Sequence, residues 1–316
     1  MEMHGSKRVI YAALFGNLLI AVTKFGAAFV TGSSAMLSEA VHSLVDTGNQ
    51  GLLLYGLRRA QQPPDDAHPY GYGMELYFWT FVVAILIFGL GAGVSVYEGV
   101  QKLLHPHPIT NPAISYIVLS FALLFEAAAW TVAFREFRKV KGTGGYLDAV
   151  RRSKDPTLFT VLFEDSAAMA GLVFAFAGIL AGQLLDMPEL DGIAAICIGV
   201  ILTIVAGLLA YKAKRLLIGE SATSSVIQGI KEIVREESGI LNLNELLTMH
   251  FGPKDVLLNL SLDFADVLTS RQIEESISRM EGRIKSAFPE ITRVFIEAQG
   301  ARASKNAESE TDDEPT

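Results

Sequence analysis

Six long runs of apolar residues constrain the fold of this chain more than any other feature of its sequence. A helix needs roughly 20 apolar residues to cross the hydrocarbon core of a membrane. Runs of that length occupy residues 9–30, 35–57, 76–100, 112–134, 157–184 and 190–211. The sequence therefore predicts an α-helical membrane protein with six transmembrane helices, which together form a transmembrane domain over residues 1–217.

The composition supports a membrane part followed by a soluble part. Half of the 316 residues are hydrophobic and 19% are charged, against about 25% charged in an ordinary soluble domain. The net charge of −8 argues against nucleic acid as a partner, because proteins that bind phosphate backbones present a basic face. With a single cysteine, Cys197, the chain can form neither an internal disulfide nor a cysteine metal cluster.

Lysine and arginine are distributed unevenly between the loops that join the predicted spans. Basic residues precede the first span, follow the second and the sixth, and crowd the loop between the fourth and fifth, whereas the opposite loops carry only Lys102. Positively charged loops are retained on the cytoplasmic side of a membrane. We therefore expect an integral protein of the cell or inner membrane with both termini in the cytoplasm.

The last third of the chain has the pattern of a small α+β domain. Helices are predicted at 223–237 and 270–287, and strands at 244–250, 256–264 and 292–298, with a hairpin turn at 252–255. Leu258, Leu260 and Leu262 alternate with polar residues, which is typical of a half-buried strand. A cytoplasmic domain is predicted for residues 218–300. The acidic segment 301–316 lacks aromatic residues and is predicted to be disordered.

Polar residues inside the apolar runs are the candidates for function, because burying an ionisable group in a membrane is costly. The second run contains four of them, Glu39, His42, Asp46 and Asn49, at spacings that place all four on one helix face. The fifth run contains Glu164 and Asp165.

Imidazole and carboxylate groups are ligands of divalent metals. We therefore predict a metal site formed by His42, Asp46 and Asp165, with Asn49, Glu164 and Glu39 as further candidate ligands. The alternative is a buried polar network that holds the helices together. A cluster of like charges, however, requires a bound cation or protons.

Four further polar residues are considered as functional candidates. Lys24 and Glu126 lie in the first and fourth runs, where we expect each to pair with another group inside the membrane rather than to contact a substrate. The turn after the second run contains Asp65 and His68, which are weaker candidates for a metal site on the cytoplasmic side. The density of proline and glycine in that turn is equally consistent with a purely structural role.

Several stretches of the chain resemble one family of transporters. They are TGSSAMLSEAVHSLVD at 31–46, DAHPYGYG at 66–73, EDSAA at 164–168, DGIA at 191–194 and GES at 219–221. In this order they are similar to the cation diffusion facilitators, six-span transporters that export zinc and related divalent cations in exchange for protons. The resemblance implies a homodimer whose cytoplasmic domain has a ferredoxin-like, metallochaperone-like fold.

The resemblance also implies a transport site made by two residues four apart in the second span and two residues four apart in the fifth. His42, Asp46 and Asp165 match this pattern, but Val161 stands at the position of the fourth ligand. A branch of the family that includes mitochondrial zinc transporters has a Glu-Asp pair here, as this chain does at 164–165. On an ideal helix Glu164 is rotated about 100° from Asp165, so we expect it to reach the site only if the helix bends; Asn49 or water are the alternatives.

The family's second site, in the cytoplasmic turn, uses an aspartate and two histidines. Asp65 and His68 match two of these ligands, whereas Tyr72 stands where the second histidine would be. The resemblance therefore implies a weakened or lost second site.

Together these features predict a secondary transporter, not an enzyme, which exchanges a divalent metal for protons and needs no cofactor other than its cargo. Zinc is the expected metal, with manganese, iron, cobalt and nickel as alternatives. An oxygen atom as the fourth ligand would favour manganese or iron. A second hypothesis is a non-transporting regulatory subunit of a related transporter. A metal-dependent hydrolase is disfavoured, because the chain lacks a His-Glu-x-x-His motif.

Overall fold

A computed structural model describes residues 3–141, 145, 154 and 156–300, with only the helical backbone described for residues 3–16. The chain divides into two compact units. The first, here called the helical unit, contains the chain up to Arg59 and Glu75–Lys214. The second, here called the C-terminal unit, combines the loop Ala60–Met74 with the chain from Arg215 onward. The predicted disordered tail at 301–316 lies outside the described residues.

Helices form at all six apolar runs, as predicted. They are α1 (Met3–Thr31), α2 (Ser34–Ala60), α3 (Glu75–Leu104), α4 (Pro112–Lys141), α5 (Pro156–Leu184) and α6 (Glu189–Ile218). α3 is continuous but contains one π-helical segment at Ile87–Ala92. α4 and α5 begin with proline, which is favoured at the first helical position because its fixed φ suits the helix and its missing amide has no partner there.

Among the described residues, four helices are long and apolar enough to cross a membrane: Glu75–Leu104, Pro112–Arg135, Phe159–Leu184 and Glu189–Ile218. In α1 the described apolar stretch, Asn17–Thr31, is shorter. α2 is 27 residues long, but the polar residues on its face lower its hydropathy. The prediction of six spans is thus supported for four helices and stays a prediction for α1 and α2.

α4 presents the clearest lipid-facing surface among the described helices. The most apolar stretch of its segment Pro112–Arg135 has 11% of its residues buried. Its large exposed side chains include Ile117, Phe121, Leu124, Phe125 and Val132. Such a contiguous apolar surface is unfavourable in water, so this face of the helix is suited to contact with lipid.

Small residues bring α3 and α6 close together. A Cβ atom on Gly99 would lie 2.6 Å from the carbonyl oxygen of Gly192, and one on Gly199 would lie 2.6 Å from Cγ2 of Val96. Glycine at these positions permits an approach that any larger residue would prevent. Contacts of this kind drive helix association in membranes, where apolar burial contributes little.

Asp191, in the first turn of α6, holds the beginning of α2. Its carboxylate accepts hydrogen bonds from the hydroxyl of Ser33 (2.6 Å) and the backbone amide of Ser34 (2.7 Å). The ammonium of Lys102 lies 3.7 Å from the same carboxylate, and both side chains are fully buried. The first amides of a helix have no partner within it, and a negative charge there is favourable. Asp191 therefore ties α6 to α2 and α3.

We expect Asp191→Ala to destabilise the helical unit by about 3 kcal/mol, because the substitution leaves a buried lysine and the α2 amides without their anionic partner. This corresponds to roughly 6–12 °C in the unfolding midpoint of the detergent-purified protein. Asp186→Asn is the matched control: Asp186 is exposed, and asparagine tolerates its φ of 55°. Equal midpoints for the two variants would contradict the role assigned to Asp191.

The C-terminal unit contains α7 (Ser224–Glu236), β1 (Ile240–Gly252), β2 (Asp255–Phe264), α8 (Ser270–Ala287) and β3 (Ile291–Ala298). The sheet order is β1-β2-β3, with β1 and β2 antiparallel and β2 and β3 parallel. The predicted order of helices and strands is confirmed, including the hairpin at 252–255. The start of α8 is closed by a capping box between Thr269 and Gln272.

The core of this unit lies between one face of the sheet and the two helices. Leu258, Leu260 and Leu262 of β2 are buried, as their alternation predicts. Ile230 of α7 and Met280 of α8 belong to the same buried cluster. Each fully buried side chain of this size contributes roughly 1.5–3 kcal/mol relative to exposure, so the unit has its own apolar core.

The loop Ala60–Met74 is fastened to the C-terminal unit by an aromatic stack. The ring of Tyr70 stacks on Phe251, with centroids 4.8 Å apart. The guanidinium of Arg293 lies 5.0 Å from the Tyr70 ring and donates a hydrogen bond of 3.2 Å to the Tyr70 carbonyl. These contacts explain why the loop groups with this unit rather than with the helices that it connects.

Glu237 connects the end of α7 to α8. Its carboxylate accepts hydrogen bonds from Arg279 (2.7 Å) and from the hydroxyl of Ser276 (2.9 Å). Burial alone would raise the pKa of Glu237, but the hydrogen bonds from Arg279 and Ser276 outweigh this effect and lower its pKa below the usual 4.5. A carboxyl group with a lowered pKa stabilises the fold above its unfolded-state pKa, and this stabilisation is lost as the pH falls through the folded-state pKa.

We expect Glu237→Gln to destabilise the C-terminal unit by about 1–2 kcal/mol at pH 7, because it removes charge-assisted hydrogen bonds. The difference from wild type should shrink as the pH falls below about 4.5. Hydrogen exchange of the α8 amides in the full chain, corrected for intrinsic rates, measures both effects. Glu275→Gln, which removes an exposed ion pair with Arg271, should have almost no effect at any pH. A Glu237→Gln defect that does not change with pH would contradict the prediction.

Candidate metal centre

A polar pocket lies within the helical unit between α1, α2, α4 and α5. The residues that line it are Asn17, Ile20, Ser43, Asp46, Gln50, Glu126, Val161, Glu164 and Asp165. Four of them carry carboxyl groups, and among the lining residues none carries a basic side chain. A group of carboxylates inside an apolar surrounding needs a cation or protons to be stable. The pocket therefore has the chemistry of a cation site.

On α2, His42 and Asp46 lie next to each other one turn apart. Nδ1 of His42 is 3.3 Å from Oδ1 of Asp46, and the imidazole is almost fully buried. Both ring nitrogens of His42 and Oδ1 of Asp46 have no hydrogen-bond partner among the described residues. Buried polar atoms are normally paired, so these three atoms are suited to a group that comes from outside the fold, such as a metal ion or a proton.

On α5, Glu164 and Asp165 both line the pocket. Glu164 is buried and accepts a hydrogen bond of 2.8 Å from the amide of Asn49, which joins α5 to α2. α5 is an α-helix throughout Pro156–Leu184. Glu164 borders the pocket from this helix, and its role as a ligand stays a prediction. The pocket borders a wide arc of α5 that includes Val161, so neighbouring side chains 100° apart both reach it.

The predicted ligands share this pocket without forming a finished metal cluster. Asp46, Glu164 and Asp165 line it, while His42 lies behind Asp46 and Asn49 is bonded to Glu164. Within the described part of the chain, no three His, Cys, Asp or Glu side chains are placed to hold a metal ion together. The side chains of the site would therefore have to move towards each other to bind one, and the ligand assignment stays a prediction.

Glu39, a further candidate ligand, is occupied by another contact. Its Oε2 accepts a hydrogen bond of 3.1 Å from Nζ of Lys24, and both side chains are fully buried. Glu39 is not among the residues that line the pocket. The expectation that Lys24 pairs with a group inside the membrane is confirmed by this contact.

Glu126 lines the pocket from α4. We expect it to pair with another group rather than to contact a substrate, and this stays a prediction. The signal that could have identified it is the carboxyl group itself, because such a group in an apolar run is a functional candidate by default. Asn17 and Gln50 also line the pocket, and no spacing pattern in the sequence singles them out.

The weaker candidates Asp65 and His68 lie in the C-terminal unit. Asp65 accepts hydrogen bonds from the Tyr72 hydroxyl (2.6 Å) and from the His68 amide (2.7 Å). The hydrogen bond from Tyr72 is the main reason why the pKa of Asp65 is lowered, and the backbone bond from His68 adds to it. Both carboxylate oxygens thus take part in the turn itself, which supports a structural role for Asp65.

Comparison with known proteins identifies the family. The cation efflux transmembrane domain matches residues 10–218. The chain is 33% identical over 261 residues to metal tolerance protein C4 of Arabidopsis thaliana, covering 82% of this chain and 57% of the relative. It is 33% identical over 274 residues to the mitochondrial proton-coupled zinc antiporter SLC30A9 of Homo sapiens, covering 86% and 48%. It is 26% identical over 286 residues to the cation-efflux pump FieF of Escherichia coli strain K12 / DH10B, covering 90% and 89%.

The chain spans about half the length of the first two of these relatives and most of the length of the third. Two of these relatives are named as an antiporter and as an efflux pump, and the third as a metal tolerance protein. The matched domain, the apolar helices and the quoted motifs agree. The chain is therefore a membrane protein that belongs to the cation efflux family, the cation diffusion facilitators.

Proposed function

We propose that this chain is a proton-coupled antiporter that exports a divalent metal, with zinc as its main cargo. The observation that carries the proposal is the pocket lined by Asp46, Glu164 and Asp165. Next to Asp46 lies the buried imidazole of His42, whose nitrogens have no hydrogen-bond partner in the described structure. The similarity to a protein named as a proton-coupled zinc antiporter supports the proposal, although the chain covers about half of that relative.

The ligand chemistry favours a divalent transition metal. An imidazole ligand suits zinc, cobalt, nickel and iron, whereas magnesium and calcium prefer shells made of oxygen atoms. Glu164 supplies the oxygen that Val161 cannot, which keeps manganese and iron as secondary cargoes. These ligands bind metal when deprotonated. A metal that enters from the cytoplasm therefore displaces protons, and protons that enter from the far side release the metal.

The proposal includes a membrane arrangement and an oligomeric state. We propose that α1 and α2 cross the membrane with the other four helices, so that the polar face of α2 points towards α1 and α5 rather than towards lipid. The basic loops place both termini in the cytoplasm. Two copies associate through their C-terminal units, and small rotations of the helices expose the pocket to either side in turn, as in other secondary transporters.

Metal flux into proteoliposomes under an imposed pH gradient tests the function. We expect zinc uptake that depends on the gradient and that falls at least tenfold in Asp46→Ala and Asp165→Ala, because each variant removes an anionic group from the pocket. Asp186→Asn, at an exposed position outside the pocket, is the control and should transport normally. Manganese, iron, cobalt and nickel measured in parallel rank the cargoes.

Well-folded protein that transports none of these metals would refute the antiporter. In that case the regulatory-subunit hypothesis would take its place, and the protein should then change the transport rate of a related complete transporter in mixed vesicles. Zinc uptake that does not depend on the pH gradient would support metal transport but refute proton coupling.

A second experiment tests Glu164 as the fourth ligand. Glu164→Gln retains the hydrogen bond to Asn49 but removes the charge, so we expect zinc to bind at least tenfold more weakly, as measured by equilibrium titration. Adding Val161→Asp to this variant places a carboxyl group on the pocket wall four residues before Asp165, and should restore most of the affinity. Unchanged binding in Glu164→Gln would exclude Glu164 as a ligand.

A further inference from the structure

Lys24 is a buried charge that the proposed transport cycle does not use. Its ammonium donates hydrogen bonds to Oε2 of Glu39 (3.1 Å) and to the hydroxyl of Ser43 (2.7 Å). The side chains of Lys24 and Glu39 are completely inaccessible. A buried ion pair generally stabilises a fold no better than apolar residues of the same size. Stability therefore does not explain why a lysine and a glutamate are placed here.

The ion pair has a definite orientation relative to the pocket. Ser43, which accepts the hydrogen bond from Lys24, lines the pocket beside Asp46. Glu39 does not line it, and its Oε1 atom packs against Gly171 of α5, where a Cβ atom would overlap it. The positive end of the pair is thus separated from the pocket by one hydroxyl group, and the negative end is directed away.

This orientation affects any cation in the pocket. Four carboxyl groups attract a divalent metal, and no lysine or arginine is among the pocket-lining residues to oppose them. In the low dielectric of a protein interior, the charge of Lys24 acts on the pocket across the short distance given by Ser43. A transported ion has to bind well enough to enter and weakly enough to leave. A fixed positive charge behind the pocket wall provides the weakening part of this balance.

We propose that Lys24 sets the affinity of the pocket for its divalent cargo, with its ammonium held against Ser43 so that it repels the bound cation and permits release. Glu39 keeps the ammonium in this position. The inference rests on the proposed transport function. In this role Lys24 repels the cargo without being one of its ligands.

Equilibrium binding of Zn²⁺ and zinc flux in proteoliposomes test this role in the full-length protein. We expect Lys24→Gln to bind Zn²⁺ about tenfold to a hundredfold more tightly, because one opposing charge is lost. Its KM for transport should fall together with its maximal rate, since release becomes slower. Lys24→Arg keeps the charge and should return all three values towards those of wild type. A purely structural role would lower the unfolding midpoint without tightening the binding.

Two further variants distinguish an effect on Zn²⁺ affinity from an effect of misfolding. Lys24→Gln/Glu39→Gln removes both charges, and should still bind Zn²⁺ more tightly than wild type, because the positive end is the one that faces the pocket. Lys102→Gln removes a second fully buried lysine, which lies beside Asp191 and does not line the pocket. It should lower the unfolding midpoint and leave the affinity unchanged.

The outcomes separate the inference from the proposed function. If wild type binds Zn²⁺ and loses it in Asp46→Ala, but the Lys24 variants bind no more tightly than wild type, the role of Lys24 is refuted and the transporter stands. If wild type binds no Zn²⁺, or binds it equally well in Asp46→Ala, the proposed site is refuted and the inference with it.

Discussion

Charged and polar side chains buried along α2 have to be satisfied by neighbouring helices, and the contacts that do this connect most of the helical unit. Asp191 from α6 accepts hydrogen bonds from the Ser33 hydroxyl and from backbone amides at the beginning of α2. Lys24 from α1 pairs with Glu39 further along, and Glu164 from α5 accepts a hydrogen bond from the side-chain amide of Asn49. Because burying an unpaired polar group in a membrane costs several kcal/mol, each contact also restricts which helix can lie beside which face of α2.

These contacts do not satisfy every buried polar atom on the same face. The nitrogens of His42 and one oxygen each of Glu39, Asp46 and Asn49 are buried without a hydrogen-bond partner in the described structure. The pocket that adjoins them is lined by three more carboxyl groups. Neighbouring helices therefore fix the shape of this site on α2, whereas its charge is balanced by a bound ion or by protons. This combination is what an exchanger of metal for protons requires.

The sequence predicted the helices and strands of both units well, because the length of an apolar run indicates the length of a helix and alternating leucines indicate which face of a strand is buried. That α2 spans the membrane stays a prediction, because the residues that identify the candidate site also reduce the hydropathy by which spans are recognised. Spacing within single helices did not indicate that Glu164 and Asp165, about 100° apart on α5, both border a pocket bounded by four helices. It also did not indicate that Glu126 lines this pocket, because Glu126 has no patterned partner in its own helix.

The sequence by itself determined the helical membrane unit, the α+β unit after it, the polar face of α2 and the family to which the chain belongs. These follow from residue spacing along single elements and from short motifs. Only the tertiary structure decided which polar groups share the pocket, that Glu39 pairs with Lys24, and that the loop Ala60–Met74 packs with the C-terminal unit. The reason is that pairing between helices depends on their relative rotation and distance, which spacing within one helix does not contain.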